Sequence, residues 1–534
     1  MPPPAGRVEH DRRRDEGIAT ARQRGRRRRD PARRRPPEGR RPLPREAALS
    51  ELYEADAVVI GTGAGGGPTA AALAEAGLRV VVLEAGARYD ARDFTGVEGD
   101  LFFRLGRFTA TGDGSLNLYA GQCVGGSTVV NDALCWRTPP EILRGWREDH
   151  GVELGLDDLD PFLDHAWEDV GAHVMGRSHL NRNAHALERG AKRLGWASEP
   201  MARNVRGCAN LGLCNFGCPS NAKQSTLLTY VPRAERAGAR VLAETRATEI
   251  LHEGARARGV RATRAGLEIE IRAPIVCVAA GVLETPTLLM ASGLSEGAGV
   301  GLQFHSSVHV TARFREPIHG YFGPTMAYAI SEFADVLGHG GPGFMIENTT
   351  VHPLVTAQNL PGAGAEHERA MAALPHLAKA VVVLRDEARG TTQPGDIGPE
   401  YDYALTPHDL DRMAQGMRET ARAYLAAGAE EVWLPVDGLA PITNEGDLDA
   451  LEGRRWSQAE LFSLYAVHLF GGAAMGGAPD QGFCDRHGES FAVEGLHVVD
   501  AAALPGNTGA NPQITIMANA LRVAAGIVER KGRA

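Results

Sequence analysis

The chain has 534 residues, 65 of them glycine, and a formal net charge of −9. A single packed core seldom exceeds about 250–300 residues, so we expect at least two domains. Hydrophobic residues make up 43% and charged residues 23% of the sequence, which excludes a collagen-like or wholly disordered chain. The sequence contains no apolar run of about 18 residues, so we expect no transmembrane helix.

The first 46 residues are rich in arginine and proline and contain almost no aliphatic side chains. They hold 16 Arg and 7 acidic residues, so they carry +9 and the rest of the chain carries −18. Such a segment cannot bury enough apolar surface to offset the entropy of ordering it, so we predict a disordered tail over residues 1–50. The alternative is an arm for nucleic acid or another acidic surface, but the acidic body of the chain argues against a nucleic-acid partner.

The sequence contains seven cysteines, and no apolar segment typical of an export signal follows the arginine runs. An odd number of cysteines argues against a complete disulfide framework. We therefore expect a reducing, cytoplasmic compartment.

The folded region begins with the pattern of a dinucleotide site. Residues 55–60 predict a short apolar strand, residues 61–66 a glycine-rich turn, and residues 66–76 a helix rich in alanine and leucine. A second strand is predicted at residues 79–83 and ends in Glu84. The order of strand, glycine turn, helix, strand and acid is typical of a Rossmann-like α/β fold.

The glycines of this turn each have a physical reason. Gly61 permits the tight turn, Gly63 lets the backbone approach a diphosphate, and Gly66 permits close packing of helix and strand. Free N–H groups at the helix start then face the phosphates, and Glu84 can accept hydrogen bonds from a ribose. NAD and FAD both use this pattern, and the sequence Leu-Glu-Ala-Gly at residues 83–86 favours FAD.

Four later segments carry a family resemblance. Residues 121–131 hold a second glycine pair, and residues 468–476 read His-Leu-Phe-Gly-Gly-Ala-Ala-Met-Gly. Residues 279–293 and residues 499–518 supply further motifs, the latter containing Asn-Pro-Gln-Ile-Thr. Together with the opening pattern, these segments resemble the glucose–methanol–choline (GMC) oxidoreductase family over about residues 54–528.

Finer motifs point to a branch within that family. Residues 208–218 contain three cysteines, and with residues 343–353 and 384–386 they resemble the long-chain (fatty) alcohol oxidases. The cysteine cluster alone is also similar to the sugar-acid dehydrogenases that include gluconate dehydrogenase.

The resemblance implies an α/β (α+β) fold: a Rossmann-like FAD-binding domain and a substrate domain made of an antiparallel sheet and helices. The FAD-binding domain would be discontinuous, at residues 51–140, 225–301 and 465–534. Residues 141–224 would form a connecting region with cysteines, and residues 302–464 the substrate-binding domain. No internal repeat is apparent.

Two catalytic residues are implied by the resemblance. His468, predicted to lie in a glycine-rich turn, would be the base that takes the hydroxyl proton. Leu469 stands where the family usually has proline. Asn511 matches the position that hydrogen-bonds the substrate oxygen, and it precedes Pro512 as the N-cap of a helix would. The positive end of that helix would stabilise the reduced flavin.

The cofactor expected is FAD. Val130 stands where some family members carry the histidine that bonds FAD, so we expect a non-covalent cofactor, and we expect no metal. The implied cofactor-binding residues are Gly61, Gly63, Gly65, Gly66, Glu84, Gly125, Gly126, Ser127, Asn131, Ala280, Gly281, Asp500, Ala501, Asn511 and Pro512.

The stretch from residue 302 to residue 464 holds a second candidate for acid–base work, Glu347. An apolar setting would raise the pKa of its carboxyl, and the alternative is a solvent-facing carboxylate on a strand. We also predict a strand at residues 308–314 and a helix at residues 408–426. Five apolar residues either line an aliphatic pocket or belong to the core: Phe322, Met326, Tyr328, Phe344 and Met345.

The cysteines at positions 208, 214 and 218 leave three alternatives open. A packed loop with at most one disulfide is favoured over free thiols, and a metal site comes last because no fourth ligand stands at a recognisable spacing.

The sequence therefore predicts an FAD-dependent oxidoreductase that oxidises a hydrophobic, long-chain alcohol to an aldehyde or ketone. The alternatives are a sugar, sugar-acid or sterol dehydrogenase with FAD, a nicotinamide-dependent dehydrogenase, or a flavin-binding protein without turnover. The partners expected are a small-molecule alcohol and an electron acceptor, with O2, a quinone and a cytochrome as the alternatives.

Overall fold

The computed structural model describes residues 51–96 and 106–533. The tail predicted at residues 1–50 lies outside the described residues. The elements that follow belong to one compact unit that spans residues 48–534. Within the described ranges, no helix is long and apolar enough to cross a membrane.

The described residues form 23 strands and 11 α-helices. The strands are β1 Glu51–Glu54, β2 Ala57–Ile60, β3 Val80–Leu83, β4 Gly106–Ala110, β5 Asn117–Gly121, β6 Leu134–Cys135, β7 Ala172–Val174, β8 Ser198–Pro200, β9 Ala202–Asn204, β10 Arg240–Leu242, β11 Thr245–Glu253, β12 Arg256–Arg264, β13 Leu267–Arg272, β14 Ile275–Val278, β15 Val300–Arg313, β16 Tyr328–Ile330, β17 Phe344–Asn348, β18 Leu377–Leu384, β19 Gly390–Pro394, β20 Pro399–Asp402, β21 Glu431–Trp433, β22 Tyr465–Phe470 and β23 Leu496–Val498. The helices are α1 Gly66–Glu75, α2 Ser127–Val130, α3 Pro140–His150, α4 Leu156–Asp169, α5 Arg182–Leu194, α6 Tyr230–Arg236, α7 Thr285–Ala291, α8 Pro353–Asn359, α9 Ala365–Ala372, α10 Pro407–Ala427 and α11 Gln513–Arg533.

A five-stranded parallel sheet forms the first layer, in the order β10–β3–β2–β14–β23. Strands β2 and β3 are short runs of aliphatic residues that are buried throughout, as expected when helices cover both faces of a parallel sheet. Helix α1 packs against α6 and α11. The predicted Rossmann-like pattern of strand, glycine turn, helix and strand is confirmed.

The carboxyl ends of these parallel strands meet at one edge of the sheet. The chain leaves β2 at Gly61, β3 at Glu84, β14 at Ala279 and β23 at Val499. In open α/β sheets this edge is where ligands bind. Nine predicted cofactor-binding residues therefore follow strand ends that the topology brings together: Gly61, Gly63, Gly65, Gly66, Glu84, Ala280, Gly281, Asp500 and Ala501.

An eleven-stranded, mostly antiparallel sheet forms the second large layer. Its path runs β4–β5–β22–β15–β18–β17–β16–β8, and β15 also pairs with β19 and β21. Helices α5 and α10 pack on each other and on β18. The expected antiparallel sheet with helices is confirmed. The strand predicted at residues 308–314 is the second half of the longer β15, which begins at Val300 and ends at Arg313.

The predicted domain boundaries stay a prediction. Strands β4, β5 and β22 lie in segments assigned from the sequence to the FAD-binding domain, but they pair within the eleven-stranded sheet. The C-terminal segment, residues 465–534, therefore contributes β22 to the eleven-stranded sheet and β23 to the parallel sheet.

The cysteine loop contains no disulfide, because all seven cysteines are free thiols. Each thiol of the loop has a different neighbour: Cys214 Sγ accepts a hydrogen bond from the Arg203 guanidinium at 3.1 Å, and Cys218 Sγ accepts one from the Lys223 backbone N–H at 3.4 Å. The free-thiol alternative is therefore the one observed. Among the described residues, no group of three His, Cys, Asp or Glu is placed to hold a metal ion.

Candidate active site

The glycine turn after β2 is packed so closely that three positions, Gly61, Gly65 and Gly66, exclude any side chain. Gly61 adopts φ of +100°, and a Cβ there would lie 2.1 Å from the carbonyl oxygen of Ala279. A Cβ on Gly66 would lie 2.0 Å from the carbonyl oxygen of Gly61. Gly61 and Gly66 let the turn touch the end of β14 and let α1 start directly against the turn.

Gly63 differs because a side chain at this position would point into open space. The nearest atom to a Cβ on Gly63 would be the Cα of Gly126, 3.9 Å away. Gly126 belongs to the second glycine loop, so two stretches of bare backbone face each other beside the N-terminus of α1. Backbone N–H groups at a helix start favour phosphate groups. This cradle fits the diphosphate of a dinucleotide.

Thr62 connects the two glycine loops, and the sequence reasoning missed it. Its hydroxyl donates to Oε2 of Glu84 at 2.5 Å and accepts the backbone N–H of Gly125 at 2.8 Å. The other oxygen of Glu84 accepts the N–H of Gly86. Burial raises the pKa of the Glu84 carboxyl. The chain's own groups thus fix the orientation of Glu84 at the end of β3.

Asp500 joins the ends of β14 and β23. One carboxylate oxygen accepts the backbone N–H of Gly281 at 2.6 Å and the hydroxyl of Thr285 at 2.8 Å. The other accepts the N–H of Ala502 at 2.8 Å, which caps a short 3₁₀ turn that begins at Ala501. The predicted residues at this strand end therefore lie together, with Ala280 next to Gly281 in the chain.

The second glycine loop is held by side chains on both sides. Ser127 Oγ accepts the N–H of Gly121 at 2.9 Å, and Asn131 Nδ2 donates to Oε1 of Gln513 at the start of α11. Lys223, which the sequence reasoning also missed, donates from Nζ to the carbonyls of Val129, Asn131 and Cys214. Burial lowers the pKa of Lys223 to about 8.

Strand β22 carries His468, and its pairing with β15 is irregular at that point. Phe304 of β15 pairs with Leu469. Two residues later, Ser306 pairs with Ala466, three residues earlier in β22. One residue of β15 therefore lies opposite two of β22, which is a β-bulge, and bulges re-aim side chains next to active sites.

The two residues in the bulge are Val467 and His468, and they lie opposite His305. Val467 is 44% exposed, whereas His468 is half-buried. The predicted glycine-rich turn at His468 is wrong, because pairing with β15 continues the strand to Phe470. The turn begins at Gly471, which has φ of +78°.

His468 belongs to a cluster of four polar side chains. Its Nδ1 lies 3.1 Å from Nδ1 of His305, and its Nε2 lies 3.4 Å from Nδ2 of Asn511. Nδ2 of Asn511 also lies 3.5 Å from Oε2 of Glu347. The structure thus brings together the two predicted catalytic residues and Glu347, and it adds His305.

Asn511 does not serve as the predicted N-cap. Helix α11 begins at Gln513, and the first helical hydrogen bond runs from Ile516 N–H to the carbonyl of Pro512. The cap position therefore belongs to Pro512, one residue later than predicted. The side chain of Asn511 turns instead toward His468.

Burial shifts the pKa values of His468 and Glu347 in opposite directions. It lowers the pKa of His468 to about 4 and raises that of Glu347 to about 8, because burial disfavours the charged form of each. Glu347 is fully buried, so the alternative of a solvent-facing carboxylate is wrong. Glu347 Oε1 and Asn511 Oδ1 have no hydrogen-bond partner among the described residues.

A buried polar network lies under the bulge. Asp386 accepts the backbone N–H and the hydroxyl of Ser306, and also the hydroxyl of Tyr403 at 2.8 Å. Asn507 donates from Nδ2 to the carbonyls of Phe304 and Asp386, both at 2.9 Å. These bonds tie β15, opposite the bulge, to the loop that leads to α11.

The five apolar residues singled out from the sequence do not form one pocket. Phe322 is 60% exposed. The other four are buried, and Phe344 stacks on Phe333 with ring centroids 4.9 Å apart. The core alternative is therefore the observed one for those four.

Comparisons with known proteins agree with this architecture. Two models described as GMC oxidoreductase match residues 62–309 and residues 386–520. An uncharacterized GMC-type oxidoreductase of Mycobacterium tuberculosis is 36% identical over 488 residues, which cover 89% of this chain and 76% of that protein. A long-chain-alcohol oxidase of Arabidopsis thaliana is 30% identical over 506 residues, covering 89% of this chain and 67% of that protein.

A solved structure shares the fold. The crystal structure of pyridoxine 4-oxidase from Mesorbium loti matches with a TM-score of 0.68 at 19% identity, covering 88% of this chain and 98% of that chain.

The glycine cradle yields a matched pair of variants. Gly63→Ala places a methyl group in open space, so we expect an unchanged Tm but FAD affinity weakened about tenfold or more, which is about 1.4 kcal/mol. Gly61→Ala forces a methyl group against Ala279, so we expect the Tm to fall by at least about 3 °C. Thermal melts and flavin titration of the apoprotein measure both. Normal FAD affinity in Gly63→Ala would contradict the cradle.

The buried carboxyl of Glu347 predicts a pH-dependent stability. Between the ordinary value and about 8, folded Glu347 keeps a proton that the unfolded chain releases, so its contribution to stability falls as pH rises through this interval. Glu347→Gln removes this loss. We expect the Tm of the variant relative to wild type to be higher at about pH 9 than at about pH 5. Glu366→Gln, which removes an exposed carboxylate, serves as the control, and an equal difference at both pH values for Glu347→Gln would contradict the assignment.

Proposed function

This chain belongs to the GMC oxidoreductase family, and on that premise we propose that it oxidises a hydrophobic, long-chain alcohol to an aldehyde or ketone with FAD. Members of this family are FAD-binding flavoproteins that act on CH–OH groups. The observation that carries the proposal is the convergence of His468, Asn511 and Glu347. The long-chain-alcohol oxidase relative supports the choice of substrate class.

Most of the residues that would hold FAD follow the strand ends of the parallel sheet, and the second glycine loop follows β5. The backbone at Gly63 and Gly126 offers a cradle for the diphosphate beside α1, and Glu84 offers a carboxylate for the ribose. Asp500 fixes the backbone at Gly281. The chemistry that FAD supplies when bound is acceptance of the hydride from the alcohol carbon. We propose that it is held without a covalent bond, since Val130 cannot form the histidyl link.

The substrate hydroxyl would bind between Nε2 of His468 and Nδ2 of Asn511. These nitrogens lie 3.4 Å apart, so one oxygen can lie within hydrogen-bond distance of both. A fixed pair of polar groups at the reacting oxygen orients the alcohol and stabilises the negative charge that develops there. His468 and Asn511 are therefore proposed as catalytic residues.

Two titratable groups lie beside this oxygen subsite. One is His468 and the other is Glu347, whose unpartnered Oε1 is buried. Its pKa of about 8 lies near neutrality, where a side chain both takes up and returns a proton efficiently. The histidine assists the departure of the hydroxyl proton as the carbon–hydrogen bond gives up its electron pair as hydride.

The proposed reaction is tested by anaerobic reduction of the purified holoenzyme. We expect 1-octanol to bleach the flavin absorbance and gluconate to leave it unchanged. His468→Ala should slow the bleaching about 10²–10⁴-fold, since it removes a polar group at the reacting oxygen that assists departure of the hydroxyl proton. The exposed His408→Ala on α10 is the control and should bleach at the wild-type rate. Bleaching by gluconate alone would favour the sugar-acid alternative, and a normal rate in His468→Ala would exclude the role of His468.

Reoxidation of the bleached enzyme identifies the electron acceptor. Mixing it separately with air, a quinone and a cytochrome, and comparing the rates at which the flavin absorbance returns, distinguishes an oxidase from a dehydrogenase.

A further inference from the structure

The chain of hydrogen bonds that reaches His468 begins at the backbone N–H of Gly509, which can act only as a donor. The N–H of Gly509 lies 3.0 Å from Nε2 of His305. A backbone N–H only donates, so Nε2 of His305 accepts and carries no proton. His305 is therefore a neutral imidazole, and its single ring proton is on Nδ1.

That proton points toward the catalytic histidine. Nδ1 of His305 lies 3.1 Å from Nδ1 of His468, a distance typical of a hydrogen bond. Since Nδ1 of His305 donates, Nδ1 of His468 accepts. A neutral His468 then carries its proton on Nε2, the nitrogen that faces Asn511. Burial lowers the pKa of both imidazoles, which agrees with two neutral rings.

We propose that His305 is a positioning residue that holds His468 in the tautomer with its proton on Nε2. His468 and Asn511 then present two N–H groups, 3.4 Å apart, which cannot bond to each other and need a common acceptor. The oxygen of the substrate, as alcohol or as the alkoxide that forms from it, is an acceptor of the right kind. This inference rests on the proposed function for the identity of that oxygen, but the tautomer itself does not.

The tautomer also decides where the hydroxyl proton goes. The sequence predicted His468 as the base, but a base needs a lone pair, and Nε2 already carries a proton. The Nδ1 lone pair is engaged by His305. We therefore assign the proton to Glu347 in its ionised form: the hydroxyl O–H bond breaks, its electron pair stays on oxygen, and a new O–H bond forms on the carboxylate. His468 contributes by donating to the oxygen on which the negative charge develops.

The charged and titratable groups around His468 come from four directions. His305 faces it from β15, and Glu347 approaches from β17 through Asn511. The charge of Arg385, which follows β18, lowers the pKa of His305, and the charge of Asp132 raises the pKa of Glu347. Of these groups, His305 is the one that hydrogen-bonds directly to Nδ1 of His468.

The test is ¹⁵N NMR of the holoenzyme labelled at histidine, which distinguishes protonated from unprotonated ring nitrogens. The His468 signals are identified by their loss in His468→Gln. We expect a protonated Nε2 and an unprotonated Nδ1 in wild type. In His305→Leu the donor is gone, so we expect the proton to populate Nδ1 of His468. His305→Asn keeps an N–H near the Nδ1 position and should retain the wild-type pattern.

Matched measurements separate positioning from simple destabilisation. His309→Leu removes another buried imidazole of β15 and should leave the His468 signals unchanged, with Tm and flavin content recorded for every variant. Flavin reduction by 1-octanol should slow about 10–100-fold in His305→Leu, with kcat affected more than KM, and His305→Asn should recover it to within about threefold.

The outcomes distinguish this inference from the proposed function. A proton on Nδ1 of wild-type His468, or unchanged His468 signals in His305→Leu, would overturn the positioning role. If either His305 variant fails to fold, the wild-type spectrum and the other variant still decide. If the expected tautomer is found but no alcohol bleaches the flavin, the proposed function fails while the assignment of His305 stands.

Discussion

The candidate site depends on one irregular strand pairing, in which one residue of β15 lies opposite two residues of β22. A regular ladder would alternate side chains across the sheet, whereas the bulge turns Val467 outward and brings His468 against His305. The Asp386 network under the bulge and the Gly509 N–H behind it fix the geometry from the buried side. The positions of the donors toward the substrate oxygen follow from this pairing.

Two sheets of different kinds supply the residues of this site, and polar side chains fix the loops that follow their strands. The parallel sheet supplies the glycine turn after β2, where bare backbone offers room for a dinucleotide, and the larger sheet supplies the second glycine loop and the histidines. Asn131 reaches Gln513 at the start of α11, and Lys223 ties the second glycine loop to the cysteine loop. Since burial disfavours charge, it favours the neutral imidazole of His468 and the neutral carboxyl of Glu347.

Local patterns explain what the sequence could predict. The aliphatic strands and the glycine turn at Gly61 are predicted from residues adjacent in sequence. His468 and Asn511 are predicted from the resemblance of their motifs. The strand setting of His468 was missed because its pairing partner, His305, lies 163 positions away in the chain. No local signal marks a residue that acts through such a contact. The burial of Glu347 likewise depends on strand pairing and not on its neighbours in sequence.

The central claim is that His468 and Asn511 donate to the same substrate oxygen. A crystal structure of the holoenzyme with a long-chain fatty acid bound, as a stable relative of the oxidised product, measures this directly. The account predicts one carboxylate oxygen within about 2.6–3.2 Å of both Nε2 of His468 and Nδ2 of Asn511, with the aliphatic chain leading away from them. An oxygen that contacts only one of these nitrogens, or a carboxylate bound elsewhere, would contradict it.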